Sequence, residues 1–367
     1  MRILYDHQIF NMQEYGGISR YFYEIMKGIS AIGGDTFNTV RYSKNVFTND
    51  SRLFKTNEFL PGYNFKNKYY FQTIINKLHA GKSILVDDYD LFHPTYYDTY
   101  FLKVLRKKPF VVTFYDLIHE KLGKEFPIGL AADEKFFLNR KVLLEVSSKI
   151  IAISNSTKND IIEIYNVDPD KIVVTHLANS LKADISNTPN TLGDFILFVG
   201  NRDGYKNFNL FIKSIAELLL KETSLRVVCA GGGPFKKEEL ELFDELKISS
   251  KVIQQHIDDT KLSQLYSNAL LFVFPSLYEG FGIPVLEALE CSCPTILGST
   301  SSLPEVGQDA ALYVDPMSRD DIYNKVSSLL YDESLRKDLA MKGLTQAKKF
   351  SWEKTSSATL DIYKSVL

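Results

Sequence analysis

Cysteine is scarce in this chain. Its 367 residues include only three cysteines, at positions 229, 291 and 293, and this odd number does not form a disulfide framework. Cys291 and Cys293 have no second cluster of cysteine and histidine to complete a metal site, so we expect buried, reduced thiols. Such cysteine usage favours a reducing compartment, and we expect a cytoplasmic protein.

An excess of positive charge is also missing. The 43 Lys and Arg residues face 45 Asp and Glu residues, which argues against nucleic acid as a partner. No run approaches the ~20 apolar residues that span a bilayer. Residues 1–6 predict a strand and lack the apolar stretch of a signal peptide. No dinucleotide glycine motif follows this strand and no Walker lysine motif is present, which disfavours hydride transfer and ATP hydrolysis.

Short apolar runs alternate with helical patterns along the whole chain, which is typical of parallel sheets flanked by helices. The predicted strands are Ile3–Tyr5, Thr36–Tyr42, Leu91–His93, Phe110–Thr113, Ile150–Ile153, Ile172–His176, Phe195–Val199, Arg226–Ala230, Val252–Gln254, Leu270–Phe274, Pro294–Leu297 and Ala311–Val314. The predicted helices include Ser19–Ala31, Asp133–Ser148, Ser156–Tyr165, Ser318–Leu330 and Ser334–Lys349. A polar passage at 179–194 is the best linker candidate. The fold class is therefore α/β, with two doubly wound domains.

Two glutamates flank a glycine turn in the second half of the chain. Glu279 precedes the turn Gly280–Gly282, and Glu287 lies in the helical pattern that Pro284 begins. Because an apolar strand comes directly before this turn, both carboxylates are expected at a strand's carboxyl end, where open α/β sheets bind ligands. Carboxylates accept hydrogen bonds from neighbouring hydroxyls, so a sugar or ribose is the natural partner. The alternative is an ordinary helix start with acidic residues near its positive end.

The order of strand, Pro-Ser-Leu-Tyr-Glu-Gly-Phe-Gly-Ile-Pro, second Glu and Leu-Pro-Glu-Val resembles the donor-binding half of retaining glycosyltransferase family 4. The resemblance spans nearly the whole chain. It implies the GT-B fold, in which two Rossmann-like doubly wound domains face each other across a cleft. An acceptor-side domain is then expected at 1–184, a nucleotide-sugar-binding domain at 185–350, and a helix that crosses back to the first domain at 351–367. An ordinary last helix of the second domain is the alternative.

The resemblance also implies a donor site. Glu287 is expected to bind the ribose and Glu279 the transferred sugar. Arg202 and Lys206 are suited to the pyrophosphate, because Arg offers a planar fork of donors and Lys a compact charge. A solvated basic loop is the alternative for these two cations. The expected donor-binding residues are Gly16, Gly17, Arg202, Lys206, Gly231, Glu279, Gly280, Phe281, Gly282, Ile283 and Glu287.

The segment that follows the strand at 110–113 is the candidate acceptor side. Tyr115 stands where the family usually has a His, and Asp116 is retained. A tyrosine, with a reference pKa of about 10, is a poor base near neutral pH. We therefore expect Asp116 to orient the acceptor hydroxyl or the sugar, with Tyr115 and His119 as further acceptor-binding residues. The predicted catalytic residues are Asp116, Arg202, Lys206 and Glu279.

The resemblance implies transfer of a hexose from a nucleoside diphosphate sugar to a saccharide or lipid-linked saccharide, without a metal ion or another cofactor. Gly-Gly-Ile-Ser-Arg-Tyr at 16–21 and Gly-Asn-Arg at 200–202 resemble mannosyltransferases of bacterial polysaccharide assembly, including O-antigen and lipopolysaccharide. GDP-mannose is thus the expected donor and a UDP-hexose the alternative. Front-face attack is favoured over double displacement through Glu279. A nucleotide-sugar epimerase and a non-catalytic sugar-nucleotide binding protein are the rival functions.

Residues 67–82 mix apolar side chains with lysines at helical spacing. The favoured interpretation is an amphipathic helix that covers the core with Tyr70, Phe71, Ile74, Ile75 and Leu78. The alternative is peripheral contact with the anionic surface of the inner membrane.

Overall fold

The computed structural model divides the chain into two compact units. It describes residues 1–126, 133–183, 190–202 and 204–367. The first unit contains the described residues within 1–120, 127–177 and 352–367, and the second those within 121–126 and 178–351. The division thus falls after Leu177, whereas the predicted boundary at 184/185 and the middle of the predicted linker lie outside the described residues.

Strands and helices alternate as the sequence predicts. The strands are β1 (Arg2–Tyr5), β2 (Asp35–Asn38), β3 (Leu91–His93), β4 (Val111–Phe114), β5 (Lys149–Ala152), β6 (Ile172–Val174), β7 (Phe195–Val199), β8 (Arg226–Ala230), β9 (Val252–Gln255), β10 (Leu271–Phe274), β11 (Thr295–Gly298) and β12 (Leu312–Val314). The helices are α1 (Gln8–Met12), α2 (Gly17–Ala31), α3 (Lys68–Val86), α4 (Ile118–Leu122), α5 (Glu134–Val146), α6 (Asn155–Tyr165), α7 (Phe208–Lys221), α8 (Lys237–Glu245), α9 (Asp259–Asn268), α10 (Ile283–Glu290), α11 (Leu303–Gly307), α12 (Arg319–Tyr331), α13 (Glu333–Ala347) and α14 (Trp352–Lys364).

The second unit contains a six-stranded parallel sheet in the order β9-β8-β7-β10-β11-β12. β7 and β10 are buried along their whole length, and α7 packs its apolar face against the sheet. From β7 the chain continues outward on one side to β8 and β9, and from β10 it continues outward on the other side to β11 and β12. Ligands of open α/β sheets bind at the carboxyl ends of such a strand pair.

The first unit contains parallel strands in the orders β2-β1-β3 and β4-β5-β6, and a parallel bridge between Phe92 and Phe110 connects the β3 region to the start of β4. The chain passes from β1 to β2 on one side and then returns to β3 on the other. The strand order of this unit therefore reverses between β1 and β3.

Two local predictions were wrong in detail. The strand predicted at 36–42 ends at Asn38, whose side-chain oxygen accepts the backbone N–H of Val40 at 3.1 Å and turns the chain. Helix α6 is capped by Ser154 and not by the predicted Asn155 or Ser156. The Ser154 hydroxyl accepts the backbone N–H of Thr157 at 3.0 Å.

Helix α3 was predicted to bury an apolar face, and this was wrong for most of that face. Phe71 is 49% and Leu78 70% exposed, whereas the amides of Gln72 and Asn76 are buried. Asn76 donates to the carbonyl oxygen of Tyr42 at 2.8 Å. Hydrogen bonding therefore decides which face of α3 is buried. Contact of the exposed face with a membrane surface stays a prediction. No described helix is both long and apolar enough to cross a membrane.

A chain of buried hydroxyls and an imidazole fixes the last helix in the first unit. Tyr363 of α14 shares hydrogen bonds with the Tyr5 hydroxyl at 3.0 Å and with His93 Nδ1 at 2.5 Å. His93 Nε2 lies 3.0 Å from the hydroxyl of Thr113, which lies 3.2 Å from that of Tyr21. All of these groups are nearly inaccessible to solvent. The network ties α14 to β1, β3, β4 and α2.

This network predicts a loss of stability in acid. Burial lowers the pKa of His93 to about 3, whereas a histidine in the unfolded chain titrates near 6.5. Between these values the unfolded chain binds the additional proton, so the free energy of unfolding should fall as pH drops below about 6.5, by up to ~1.4 kcal/mol per pH unit. Urea unfolding of the wild type and His93→Gln at about pH 7 and about pH 5 measures this. Equal pH dependence in the two proteins would contradict it.

Candidate active site

Three loops interlock at the carboxyl edge of the second sheet, after β7, β10 and β11. The backbone N–H of Leu277 donates to the carbonyl oxygen of Tyr205 at 2.8 Å. The Ser302 hydroxyl donates to the carbonyl oxygens of Glu279 and Phe281 at 2.9 and 3.0 Å. These contacts hold the predicted donor loops together at the point where the strand order reverses.

Lys206 and Glu279 form the central ion pair of this edge. Lys206 Nζ lies 2.6 Å from Glu279 Oε1, and the two side chains are only 13% and 12% exposed. Burial by itself would lower the pKa of Lys206, but the Glu279 carboxylate and Tyr205 outweigh it and raise that pKa. The cation predicted for the phosphates therefore stays charged, beside the carboxylate predicted for the sugar.

Glu287 is positioned by α10 and by a tyrosine that the sequence analysis did not identify. Glu287 is 9% exposed, and its Oε2 accepts a hydrogen bond from the Tyr266 hydroxyl at 3.1 Å. Burial, and then the Glu287 carboxylate, raise the pKa of Tyr266 well above its ordinary value. Tyr266 therefore remains protonated and donates to Glu287, which fixes the carboxylate that is predicted to bind the ribose.

The glycine loop before α10 presents backbone to its surroundings. Gly282 is the N-cap of α10 with φ of 97°, and a Cβ there would lie 3.0 Å from Leu303. Phe281 is buried, and its ring packs against Phe350 with centroids 5.8 Å apart. Because the Phe281 side chain belongs to the core, this residue can offer a ligand only its backbone. Gly280 and Ile283 lie on either side of this pair, in the same loop and at the start of α10.

Arg202 is engaged by protein groups. Its guanidinium binds both carboxylate oxygens of Glu239, at 2.6 and 3.3 Å, and both side chains are buried. It also donates to the carbonyl oxygens of Gly231, Gly233 and Pro234 at 3.2, 3.1 and 3.0 Å. Contact of Arg202 with a phosphate stays a prediction. The observed contacts show a side chain that holds the turn after β8.

That turn requires glycine. Gly231, Gly232 and Gly233 have φ values of 78°, 70° and 72°, which favour glycine. A Cβ on Gly232 would lie 2.7 Å from Arg202 Nη1 and from the carbonyl oxygen of Gly200. The glycine run therefore allows the turn after β8 to lie directly against the loop after β7.

The predicted glycine pair of the first unit lies at the start of α2. Gly16 is the N-cap and Gly17 the first helical residue. The Gln13 side-chain oxygen accepts the backbone N–H of Ser19 at 3.2 Å, and a Cβ on Gly16 would collide with this Gln13 amide. Gln13 thus caps the helix in place of an N-cap side chain.

The predicted acceptor residues follow β4 in the first unit. Tyr115 is buried and its hydroxyl has no hydrogen-bond partner among the described residues. The Asp116 carboxylate accepts the backbone N–H of Ile118 at 3.2 Å, and its carbonyl oxygen accepts from Arg140. His119 packs edge-on against Phe136. Their role in acceptor binding stays a prediction.

A buried arginine behind Asp116 was missed from the sequence. Arg140 Nε lies 3.1 Å from Glu120 Oε1, and the guanidinium lies over the rings of Tyr97, Phe114 and Phe136 at 4.8, 5.1 and 5.1 Å. Because the three rings and Glu120 come from separate segments, no local sequence pattern indicates this cage.

Two family models match the chain. Residues 15–178 match the model described as Glycosyltransferase Family 4, and residues 182–346 match the model described as Glycosyl transferases group 1. The chain belongs to glycosyltransferase family 4. The second match contains Lys206, Glu279 and Glu287, and the first contains Asp116.

This family 4 chain is similar to O-antigen chain mannosyltransferase B of Escherichia coli, with 32% identity over 235 residues, or 60% of this chain and 61% of that protein. The alignment thus spans less than two thirds of the relative's length. Sucrose-phosphate synthase from Thermosynechococcus elongatus superposes with a TM-score of 0.78 at 20% identity, over 100% of this chain and 98% of that chain. Anabaena Alr3699/HepE in complex with UDP-glucose superposes with a TM-score of 0.75 at 13% identity, over 100% of each chain. The predicted GT-B fold class is confirmed.

Proposed function

We propose that this chain is a retaining glycosyltransferase that moves a hexose from a nucleoside diphosphate sugar to a saccharide or lipid-linked saccharide in bacterial polysaccharide biosynthesis. The observation that carries the proposal is the 2.6 Å contact between Lys206 and Glu279 at the point where the strand order reverses. A cation for the leaving diphosphate and a carboxylate for the sugar hydroxyls are therefore adjacent, with the Glu287 carboxylate on the following helix.

The proposed mechanism relies on electrostatics more than on acid and base catalysis. As the bond between the sugar and the diphosphate breaks, negative charge grows on the leaving phosphate, and Lys206 stabilises it from a fixed position. Glu279 exchanges its contact with Lys206 for hydrogen bonds from the sugar. The acceptor hydroxyl attacks from the side that the phosphate leaves, and the phosphate takes its proton. We propose that no metal ion is needed, and that Asp116 orients the acceptor.

GDP-mannose is the proposed donor. The mannosyltransferase name of the Escherichia coli relative supports it. The UDP-glucose complex of the Anabaena structure supports a UDP-hexose as the second candidate. The site residues described above are proposed to contact the ribose, the diphosphate and the sugar hydroxyls, which both kinds of donor have, so a comparison of donors identifies the base.

A donor panel tests the function. We expect release of GDP from GDP-mannose that depends on added mannosides, a product with the anomeric configuration of the donor by proton NMR, and no loss of activity with EDTA. Glu279→Gln serves as the inactive reference. Conversion of the donor sugar without acceptor would indicate an epimerase instead. Binding of GDP-mannose without turnover of any acceptor would indicate a sugar-nucleotide binding protein.

A further inference from the structure

A cavity of about 300 Å³ opens at the carboxyl ends of β1 and β3 in the first unit. The strand order reverses between these two strands, which is where open α/β sheets bind ligands. The volume lies at the lower end of the roughly 300–1,000 Å³ of ligand pockets. A neighbouring depression of about 760 Å³ shares Asn11, Met12 and Tyr69 with it, so the two meet along α1.

His7 lines this cavity with a side chain that lacks a partner. It is 3% exposed, and among the described residues its Nδ1 has no hydrogen-bond partner. Burial lowers the pKa of His7, so the imidazole is neutral and carries one donor and one acceptor nitrogen. A buried polar group without a partner costs about 1–3 kcal/mol. A ligand hydroxyl in the cavity would relieve that cost.

Asp6 holds the backbone at His7 in place. Its buried carboxylate accepts the backbone N–H of Thr95 at 2.8 Å, the Thr95 hydroxyl at 2.7 Å and the Tyr100 hydroxyl at 3.1 Å. The His7 ring packs against Tyr100 with centroids 5.6 Å apart. The turn after β1 is therefore fixed by Asp6, while the imidazole of the next residue is left for another partner.

The charges around the cavity disfavour an anionic ligand. Two carboxylates line it, and of these Asp98 is neutralised by Lys77 at 2.7 Å. Asp133 accepts the backbone N–H groups at the start of α5, and Lys135 is the only cation in the described lining, because the His7 imidazole is neutral. Without an excess of cations, the cavity lacks the charge that a phosphate or nucleotide requires.

The remaining lining suits a sugar ring. Tyr96, Phe136 and the 55%-exposed Tyr69 supply aromatic surface, and Asn139 supplies a side-chain amide. Apolar surface with a few placed polar groups is the usual composition of a small-molecule site.

We propose that this cavity binds a neutral sugar ring of the acceptor, with His7 hydrogen-bonded to a sugar hydroxyl and the Tyr69 ring against the sugar's apolar face. The proposal rests on the proposed function and deepens it, because it names the acceptor as a neutral saccharide. It also adds a subsite beyond Tyr115, Asp116 and His119.

Binding of methyl α-D-mannopyranoside, measured by calorimetry without donor, tests the site directly. We expect the wild type to bind this neutral probe, and to bind mannose 6-phosphate more weakly. His7→Phe keeps an aromatic ring at this position but removes the nitrogens that are proposed to hydrogen-bond the sugar. This variant should bind the mannoside about three- to tenfold more weakly. Tyr69→Ala removes an exposed ring at little risk to folding, and should also weaken it. Tyr70→Ala is the matched control, because this neighbouring exposed tyrosine lines neither cavity.

The outcomes separate this site from the transfer function. Absence of mannoside binding, tighter binding of mannose 6-phosphate, or equal losses in Tyr69→Ala and Tyr70→Ala would overturn the site. If His7→Phe does not fold, the comparison of Tyr69→Ala with Tyr70→Ala decides alone. Binding that depends on Tyr69 without any transfer would reject the proposed function and keep the site. Transfer with an unchanged acceptor KM in both His7→Phe and Tyr69→Ala would reject the site and keep the function.

Discussion

Lys206→Met should reduce glycosyl transfer by about a hundredfold or more, the loss typical of removing one group that stabilises charge in a transition state. The variant should also bind GDP more weakly, because Lys206 is proposed to contact the diphosphate that GDP retains. Glu279→Gln should lose transfer as well, but for another reason. Its carboxylate is proposed to bind the sugar, which GDP lacks. Binding of GDP by Glu279→Gln should therefore equal that of the wild type or exceed it.

The contact between Lys206 and Glu279 is the reason why the two variants should differ in their affinity for GDP. Glu279 Oε1 lies 2.6 Å from Lys206 Nζ, so a diphosphate that binds Lys206 has to compete with this carboxylate. Removal of Glu279 frees the cation for the phosphates, whereas removal of Lys206 leaves a carboxylate that repels them. In the wild type, burial lowers the pKa of Lys206 but the Glu279 carboxylate and Tyr205 raise it by more, so Lys206 should stay charged near neutral pH. In Glu279→Gln this carboxylate is missing, so the two variants are best compared near neutral pH.

Calorimetric titration with GDP and with GDP-mannose, together with initial rates, measures both variants. Lys237→Met is the matched control, because this lysine of the same unit is 83% exposed and pairs with the exposed Glu241. Thermal unfolding checks that each variant is folded. If Glu279→Gln lost GDP binding as severely as Lys206→Met, the assignment of Glu279 to the sugar would be wrong.

The parts of the fold and the site that could be predicted from the sequence are those whose contacts are local in the chain. The strand, glycine turn and helix around Glu279 and Glu287 occupy one continuous segment, and its pattern predicted the position of both carboxylates at the strand's carboxyl end. Phe195–Val199 was predicted with its observed bounds because a buried parallel strand is apolar throughout. The loop with Lys206 follows it directly, so its place at the same edge could also be predicted.

The prediction was wrong where a polar side chain is buried because it hydrogen-bonds a residue that is distant in the chain. On α3 the apolar pattern indicated Phe71 and Leu78 as core residues, yet Gln72 and Asn76 are buried because Asn11 and Tyr42 satisfy their amides. A prediction from periodicity rests on the rule that apolar side chains face inward. It does not identify an amide that is buried because a residue distant in the chain satisfies its hydrogen bonds.

Distant partners also determine the surroundings of His7 and of Arg202. A histidine after a strand has no local sequence signature, and His7 becomes a candidate only because Tyr96, which follows β3, lines the same cavity. The Gly-Asn-Arg pattern predicted a phosphate contact for Arg202, and this stays a prediction, but the pattern did not indicate the ion pair that the side chain forms. Its observed partner, Glu239, lies at the start of α8, after a further strand and its glycine turn.

The buried pair of Arg202 and Glu239 should contribute more to the free energy of unfolding than the exposed pair of Lys237 and Glu241 does. Removing one partner of a buried ion pair leaves an uncompensated charge and typically costs about 3–5 kcal/mol. We expect losses of this size in Arg202→Met, because the guanidinium also holds the carbonyl oxygens of the turn from Gly231 to Pro234. Glu239→Gln should lose a similar amount, since the amide oxygen still accepts one hydrogen bond but the buried Arg202 cation is left without a counter-charge.

Urea unfolding measures these losses, with Glu241→Gln as the matched control on the same helix. Glu241 is 64% exposed in its pair with Lys237, so its removal should have little effect. The double variant Arg202→Met with Glu239→Leu should recover part of the stability, because no buried charge then remains. If Arg202→Met were as stable as the wild type while losing affinity for GDP, Arg202 would serve the phosphates and would not support the turn. A large loss of stability in Arg202→Met, partly recovered in the double variant, would instead identify Arg202 and Glu239 as the structural support of the donor loops.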